Sequence, residues 1–489
     1  MPSSPPRPSR LYRVLRGVVR VVLRLFFREI AAEGRHHIPL DRGGLLVAWH
    51  PNGVVDPAVI LSRFPGRLVF GARDGLLRWP VVGALMRGLG TVPVYRAEDA
   101  ADVDAGRAEA DRRAANRKSL DALAAEAAAG SFTALFPEGN SHDLAHPTPI
   151  RAGAARLYAR MLVLAGESGA PVPALVPVGL HYDAKATFRS RALVVFHAPL
   201  AVPEDLRAHL VGPPDAPETR AAVDALNGRI EHAIDRASLA ADDWDLVRTM
   251  HRARTLIRAE AAVRTDRRVG PSSQGDRALG VAQIWHAYRV RRATHPAETA
   301  ALTADVRDYD RALRALGLDD ASLDRPPRIR PVLATMLAAG FVLFLPLLAI
   351  GFAVNGPPHR LLKHLARRFS RAEKDTATVK LFGGLVLYPL AWTVAGIVAA
   401  LLRSRADVPA LPASPVAAGL LVAGLSALGA VAALGFSERW DEARRAVRVR
   451  VTRGRRRAAL ASLRAARTSL HDRFMALREG LDLPATVAD

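Results

Sequence analysis

The stretch Gly44-Leu-Leu-Val-Ala-Trp-His-Pro-Asn-Gly-Val-Val-Asp-Pro57 decides how this chain is read. Gly44–Trp49 has the length and composition of a buried strand, and the turn residues Pro51, Asn52 and Gly53 end it. The strand thus delivers His50 to its end, with a carboxylate, Asp56, a few residues on. A carboxylate that fixes an imidazole tautomer and raises its basicity equips the ring to take a proton from a hydroxyl. Asp56-Pro57 also has the form of a helix N-cap followed by proline, so Asp56 reads equally as a helix start. On a continuous helix an i, i+6 pair would lie on different sides. If the two side chains meet, residues 51–55 form a loop.

Working outward, further short apolar runs alternate with helical stretches. Leu68–Ala72, Thr91–Tyr95, Phe132–Phe136, Leu175–Gly179 and Leu193–His197 read as strands, and Val59–Ser62, Pro80–Gly88, Ala108–Ala129 and Ala152–Ala165 as helices. The alternation predicts an α/β domain with a largely buried sheet. Residues 216–324 read as charged helix with no strand signal, after the loop Gly212-Pro-Pro-Asp-Ala-Pro217.

Three more blocks carry candidate chemistry. Gly88–Arg96 ends a strand in Arg96, whose guanidinium can fork onto a phosphate or simply be solvated. Leu135-Phe-Pro-Glu-Gly-Asn-Ser-His-Asp143 delivers an acid, Glu138, into a glycine turn, where it reads as a solvated loop acid if it has no partner. Arg151-Ala-Gly153 then opens a helix whose first N–H groups, with Arg151, can hold an anion. Val176–Tyr182 is an apolar strand that is either core or the wall of an acyl groove.

The order of these four blocks, and their place at strand ends, resembles the glycerolipid acyltransferase family (PlsC-like), which acylates glycerol 3-phosphate or lysophosphatidate. That family's first motif usually has four residues between His and Asp; here five intervene, which is similar to the subgroup with His-x-Asn-x-x-Val-Asp-Pro, as is the block Phe136–Asp143. Leu25–Ile30 and Phe188–Arg191 look similar too. The resemblance implies an acyltransferase domain with a mixed sheet flanked by helices. It implies His50 as general base oriented by Asp56, Arg96 on the acceptor phosphate, Glu138 and Gly139 at the acceptor with Ser141 nearby, and Pro177 in the acyl-side motif. Arg151 as a second phosphate contact is a reading of the helix start rather than of the resemblance. The implied reaction moves a fatty acyl group from acyl-CoA or acyl carrier protein, as co-substrate, to a phosphorylated glycerol. It calls for no other cofactor and no metal. A lipid-binding protein on the same scaffold, without catalysis, is the rival reading.

Composition and charge place the domain. The chain has 489 residues, half of them hydrophobic, which excludes a disordered basic protein. It has no cysteine, which excludes disulfides, thiolate nucleophiles and Cys-metal sites. Its 69 Lys+Arg against 47 Asp+Glu leave a net charge of +22, which requires an anionic partner. Arg10, Arg13, Arg16, Arg20, Arg24 and Arg28 recur every three or four residues opposite Val, Leu and Phe. That helix either lies in a membrane interface with its arginines at lipid phosphates or packs on the protein's own core. Val332–Val354, Leu381–Leu402 and Val416–Phe436 are apolar runs of near-spanning length, flanked by arginines. Three full spans would leave the chain ends on opposite sides, so one, Val332–Val354 foremost, reads as re-entrant or interfacial. The basic tail Glu438–Gly480 follows a span and carries no recognition motif, so it reads as a cytoplasmic anchor rather than a nucleic-acid site. The predicted organisation is 1–33 amphipathic membrane-associated helix, 34–211 acyltransferase domain, 212–330 helical extension, 331–437 transmembrane region and 438–489 basic tail. Such a protein would sit on the cytoplasmic face of the cell membrane, with membrane lipids as its partners.

Overall fold

The computed structural model describes residues 8–95, 105–239, 241–270, 272–326, 345–370 and 372–486. The chain divides into two compact units, Met1–Val247 with Ser272–Trp285 and Leu483–Asp489, and Arg248–Pro271 with His286–Asp482.

The first unit is built on a seven-stranded sheet: β1 (Glu29–Glu33), β2 (Gly44–Ala48), β3 (Leu68–Arg73), β4 (Val92–Val94), β5 (Phe132–Leu135), β6 (Ala174–Tyr182) and β7 (Arg191–Phe196). The spatial order is β1-β7-β6-β2-β5-β3-β4. Only β6 and β7 pair antiparallel; every other neighbouring pair is parallel. All five residues of β2 are buried, as are the first seven of β6, which is why both read as near-continuous apolar runs. The helices α1 (Arg10–Phe26), α2 (Val55–Arg63), α3 (Asp74–Leu77), α4 (Pro80–Gly88), α5 (Ala105–Ala128), α6 (Gly153–Ser168), α7 (Glu204–Leu210) and α8 (Pro217–Ser238) surround it.

Two details differ from the sequence reading. The sheet begins upstream of residue 34: β1 pairs with β7 as an edge strand, yet it presents one buried residue, Ile30, between two exposed glutamates, so it carries no alternation to read. Helix α2 starts at Val55, with Asp56 in its first turn, not capping it.

Helix α1 packs part of its apolar face on the domain. Tyr12, Val19, Leu23 and Phe26 are buried on the domain, and the Tyr12 hydroxyl donates to Leu68 O and accepts from Leu68 N at 3.1 and 3.0 Å. Arg16 donates to Phe64 O and Gly66 O, and Arg20 to Ser62 O, so these two arginines serve protein carbonyls. Leu15 and Val22 are half-buried, and Leu11, Val14, Val18, Val21 and Leu25 are 48–64% exposed beside the exposed Arg10, Arg13 and Arg24.

In the second unit a helical core gathers Leu256, Val306, Tyr309, Leu313, Val449 and Leu463. Arg467, 1% exposed, is bonded there by Glu260 and Asp324. Among the described residues, two helices are long and apolar enough to cross a membrane, Glu373–Arg405 and Pro415–Arg455. The second continues without a break from the apolar run into the basic tail, and its 41 residues extend roughly 60 Å, about twice a bilayer's hydrocarbon core. The two helices touch backbone to backbone: a Cβ on Gly396 would stand 2.7 Å from Gly419 O, and one on Gly419 2.8 Å from Gly396 O. Residues 332–344 of the remaining apolar run lie outside the described residues; its end opens the helix Leu345–Phe369, which runs on to Arg367 and Arg368. There Asn355 donates to Gly351 O and Ser426 O and accepts from Trp392 Nε1 at 2.8 Å.

Candidate active site

The parallel register brings the C-terminal ends of β2, β5 and β6 to one edge of the sheet, where open α/β sheets place their ligands. His50, just past β2, stands with its Nδ1 2.8 Å from Asp56 Oδ2. Asp56 is fully buried and the His50 side chain is 14% exposed. The extra residue between them is absorbed by a turn over 51–54, closed by the Val55 N–H donating to Asn52 O. Asp56 Oδ2 also accepts from the Asn52 N–H at 2.7 Å, and Oδ1 accepts from the Tyr182 hydroxyl at 2.5 Å. An ionised Asp56 makes Nδ1 the protonated nitrogen, so the lone pair lies on Nε2. Nε2 has no hydrogen-bond partner among the described residues. The imidazole stacks on Phe136, centroids 4.1 Å apart and planes 14° from parallel, which fixes its plane.

Glu138 is not a solvated loop acid. It is 4% exposed, and four donors converge on its carboxylate. Oε1 accepts from the His50 N–H at 2.6 Å; Oε2 accepts from His142 Nε2, from Thr148 N at 2.7 Å and from Thr148 Oγ1 at 3.0 Å. Burial pushes its pKa up, but the bonds from His142 and Thr148, the nearby His142 ring and the His50 N–H outweigh it and hold the carboxyl below its ordinary range. A return bond from His142 N to His50 O at 3.1 Å knits the first and third blocks together.

Gly139 turns the chain with φ +78°, a conformation that favours glycine, and the Arg151 side chain lies against it. Arg151 is exposed and its N–H donates to Pro137 O at 2.9 Å, so the helix start and the Glu138 loop are joined; Ser141 lies partly buried in that loop. Pro177 is buried inside β6, in register with Val47 of β2. Arg96 lies outside the described residues; the preceding Tyr95 is held at both N–H and C=O by Asn116, at 2.9 and 2.8 Å. Four residues given no role from sequence belong to the constellation: Tyr182, Asn52, His142 and Lys185. The first three stood inside blocks already singled out, and only the fold pairs them with Asp56 and Glu138.

The Acyltransferase family model matches residues 29–180, beginning at the first residue of β1, and that segment is an acyltransferase domain. An uncharacterized acyltransferase of Schizosaccharomyces pombe is 24% identical across 51% of this chain and 47% of its own. Glycerol-3-phosphate O-acyltransferase 1 of Saccharomyces cerevisiae is 24% identical across 50% of this chain and 31% of its own. The chain thus spans less than half the length of these curated relatives. The crystal structure of the 1-acyl-sn-glycerophosphate acyltransferase PlsC from Thermotoga maritima aligns with TM-score 0.29 and 19% identity over 45% of this chain and 78% of that one.

Proposed function

We propose that this acyltransferase domain moves a fatty acyl group from a thioester, acyl-CoA or acyl carrier protein, to a hydroxyl of a phosphorylated glycerol, glycerol 3-phosphate or lysophosphatidate. One observation carries the reading: His50 is held through Nδ1 by a fully buried carboxylate while Nε2 has no partner among the described residues, at the sheet edge where β5 and β6 also end. His50 Nε2 takes the hydroxyl proton as the alcohol oxygen attacks the thioester carbonyl. The new C–O bond forms, the C–S bond breaks, and the departing thiolate recovers the proton from the imidazolium. General-base assistance of this kind contributes about 10²–10⁴-fold. Asp56 keeps the proton on Nδ1 and stabilises the imidazolium. Arg96 and Arg151 bind the acceptor phosphate, with Gly139 and Ser141 lining the acceptor side. Glu138 acts from behind, as the buried anchor of both loops, and Pro177 backs the acyl side from within β6.

The domain works at a membrane surface in this reading. The exposed apolar stripe of α1, rimmed by arginine, lies in the lipid interface. Helices Glu373–Arg405 and Pro415–Arg455 cross as a hairpin, so that Glu373 and Arg455 emerge on the same, cytoplasmic side and the intervening loop on the other.

The test is thiol release by purified protein from each donor with each acceptor, the products resolved by mass spectrometry. Acyl transfer to one of the two phosphorylated acceptors supports the reading and selects the acceptor. Lipid binding without thiol release would replace it with the non-catalytic scaffold.

A further inference from the structure

The turn after β6 touches the dyad at both ends of its spacer. Tyr182, the last residue of β6, donates its hydroxyl to Asp56 Oδ1 at 2.5 Å, from 126 positions away in sequence, while its ring stacks on the buried Phe27 with centroids 6.0 Å apart. Three residues on, Lys185 is 5% exposed, an uncommon state for a lysine. Its ammonium donates to Pro51 O at 3.1 Å and to Asp143 Oδ1 at 2.6 Å, and lies 5.1 Å from the centroid of the Trp244 ring. Its backbone carbonyl accepts from the Asn52 side chain at 3.0 Å. Pro51 and Asn52 belong to the five-residue spacer between His50 and Asp56, and Asp143 closes the loop that holds Glu138.

We propose that Tyr182 and Lys185 are positioning residues of the acyl-transfer reaction: Tyr182 fixes the Asp56 carboxylate and sets how strongly it supports His50, and Lys185 locks the spacer. This rests on the His50 general-base reading. The physical need is plain, because a longer spacer is a slacker one, and a misplacement of about 1 Å can cost on the order of 10² in rate. Lys185 removes the slack by joining the spacer to the third block through one buried cation, with Asp143 as its counter-charge. Tyr182 stays a proton donor because burial and the adjacent Asp56 raise its pKa well above the ordinary tyrosine value. The groups facing the dyad are then Tyr182 from β6, Glu138 and His142 from the loop after β5, and Lys185 with Asp143 beyond Pro51.

The sign of the Tyr182 effect follows. Its hydroxyl shares the Asp56 charge; without it more of that charge faces the imidazole, and the imidazolium is favoured. Tyr182→Phe should move the acid limb of the kcat/KM profile upward by about 0.5–1 pH unit. Lys185→Met should lower kcat by about 10–100-fold with both KM values within about twofold of wild type. Two controls keep the outcome decisive. The pH dependence of diethylpyrocarbonate modification at His50, located by mass spectrometry, reads the imidazole pKa without turnover, so the Tyr182→Phe shift is measured even if no acceptor is turned over. Asp143→Asn, which keeps the lysine and the fold but weakens its counter-charge, should show the same kcat-only loss in milder form. An unmoved His50 pKa in Tyr182→Phe, or a Lys185→Met loss confined to KM, overturns the inference. Inactivity of the wild type with a shifted His50 pKa would instead overturn the general-base reading and leave the Tyr182 contact standing.

Discussion

Replacing Glu138 with glutamine puts a buried anchor and a substrate contact to opposite tests. The carboxylate accepts from four donors, the His50 N–H, His142 Nε2, Thr148 N and Thr148 Oγ1. A glutamine of the same shape offers one accepting oxygen. Turned toward His142 and Thr148, it sets its NH2 against the His50 N–H, donor to donor, where the native distance is 2.6 Å. One orphaned buried donor costs about 1–3 kcal/mol, and losing the charge assistance of the other bonds adds a further amount of order 1 kcal/mol. The Gln variant should therefore lose about 2–4 kcal/mol, or roughly 5–15 °C in melting temperature for a domain of this size. Glu138→Ala strands all four donors and should cost more than about 4 kcal/mol, close to the whole stability of a marginal domain. The pH dependence has a fixed sign. The folded carboxyl is held below its ordinary range, so its stabilisation is complete above the unfolded pKa, about 4.3, and is lost as pH falls through the folded value. The gap in melting temperature between wild type and Gln should therefore close as pH drops below about 4. Thermal denaturation of the detergent-solubilised chain, with steady-state kinetics of the same samples, reads both. A Gln variant that melts with wild type and raises the acceptor KM about tenfold would make Glu138 a substrate contact and refute the reasoning.

Three further outcomes follow from other parts of the chain. In the full chain reconstituted in anionic vesicles, Val14→Glu with Val21→Glu, both on the exposed stripe of α1, should lower several-fold the quenching of a fluorophore at Val18→Cys by lipid-borne quenchers while leaving the melting temperature unchanged, and unaltered quenching would remove the stripe from the membrane. The chain has no cysteine, so single substitutions report topology without background: an impermeant maleimide should label Ala410→Cys and Gly454→Cys from opposite sides of sealed vesicles, and labelling of both from one side would rule out the hairpin. Gly396→Leu should break the contact between the helices Glu373–Arg405 and Pro415–Arg455, because an added Cβ already meets Gly419 O at 2.7 Å; native protease resistance of that variant would contradict the packing.

What was legible in the sequence was whatever depends on neighbours along the chain. Runs such as Gly44–Trp49 and Phe132–Phe136 declare buried strands because both of their faces are covered. β1 stayed hidden because an edge strand with one buried residue has no pattern. The periodicity of α1 announced an apolar face, but which half meets the domain depends on Leu68 and the carbonyls of residues 62–66, more than forty positions away. The same holds at the site. His50 and Asp56 are near in sequence, so their pairing is one of the two readings that the local sequence offers, whereas the tyrosine on Asp56 and the lysine on Pro51 come from the end of β6 and the turn after it. Glu138 was found as a residue but not as a buried hub, since its burial is created by Thr148 and His50 closing over it.

The general-base role of His50 is tested most directly by thiol release from acyl-CoA or acyl carrier protein in the presence of phosphorylated acceptor, comparing wild type with His50→Ala at equal folded concentration. The dyad predicts that His50→Ala loses about 10²–10⁴-fold or more in kcat while its melting temperature stays near that of wild type. Robust acyl transfer by the folded His50→Ala protein would contradict it.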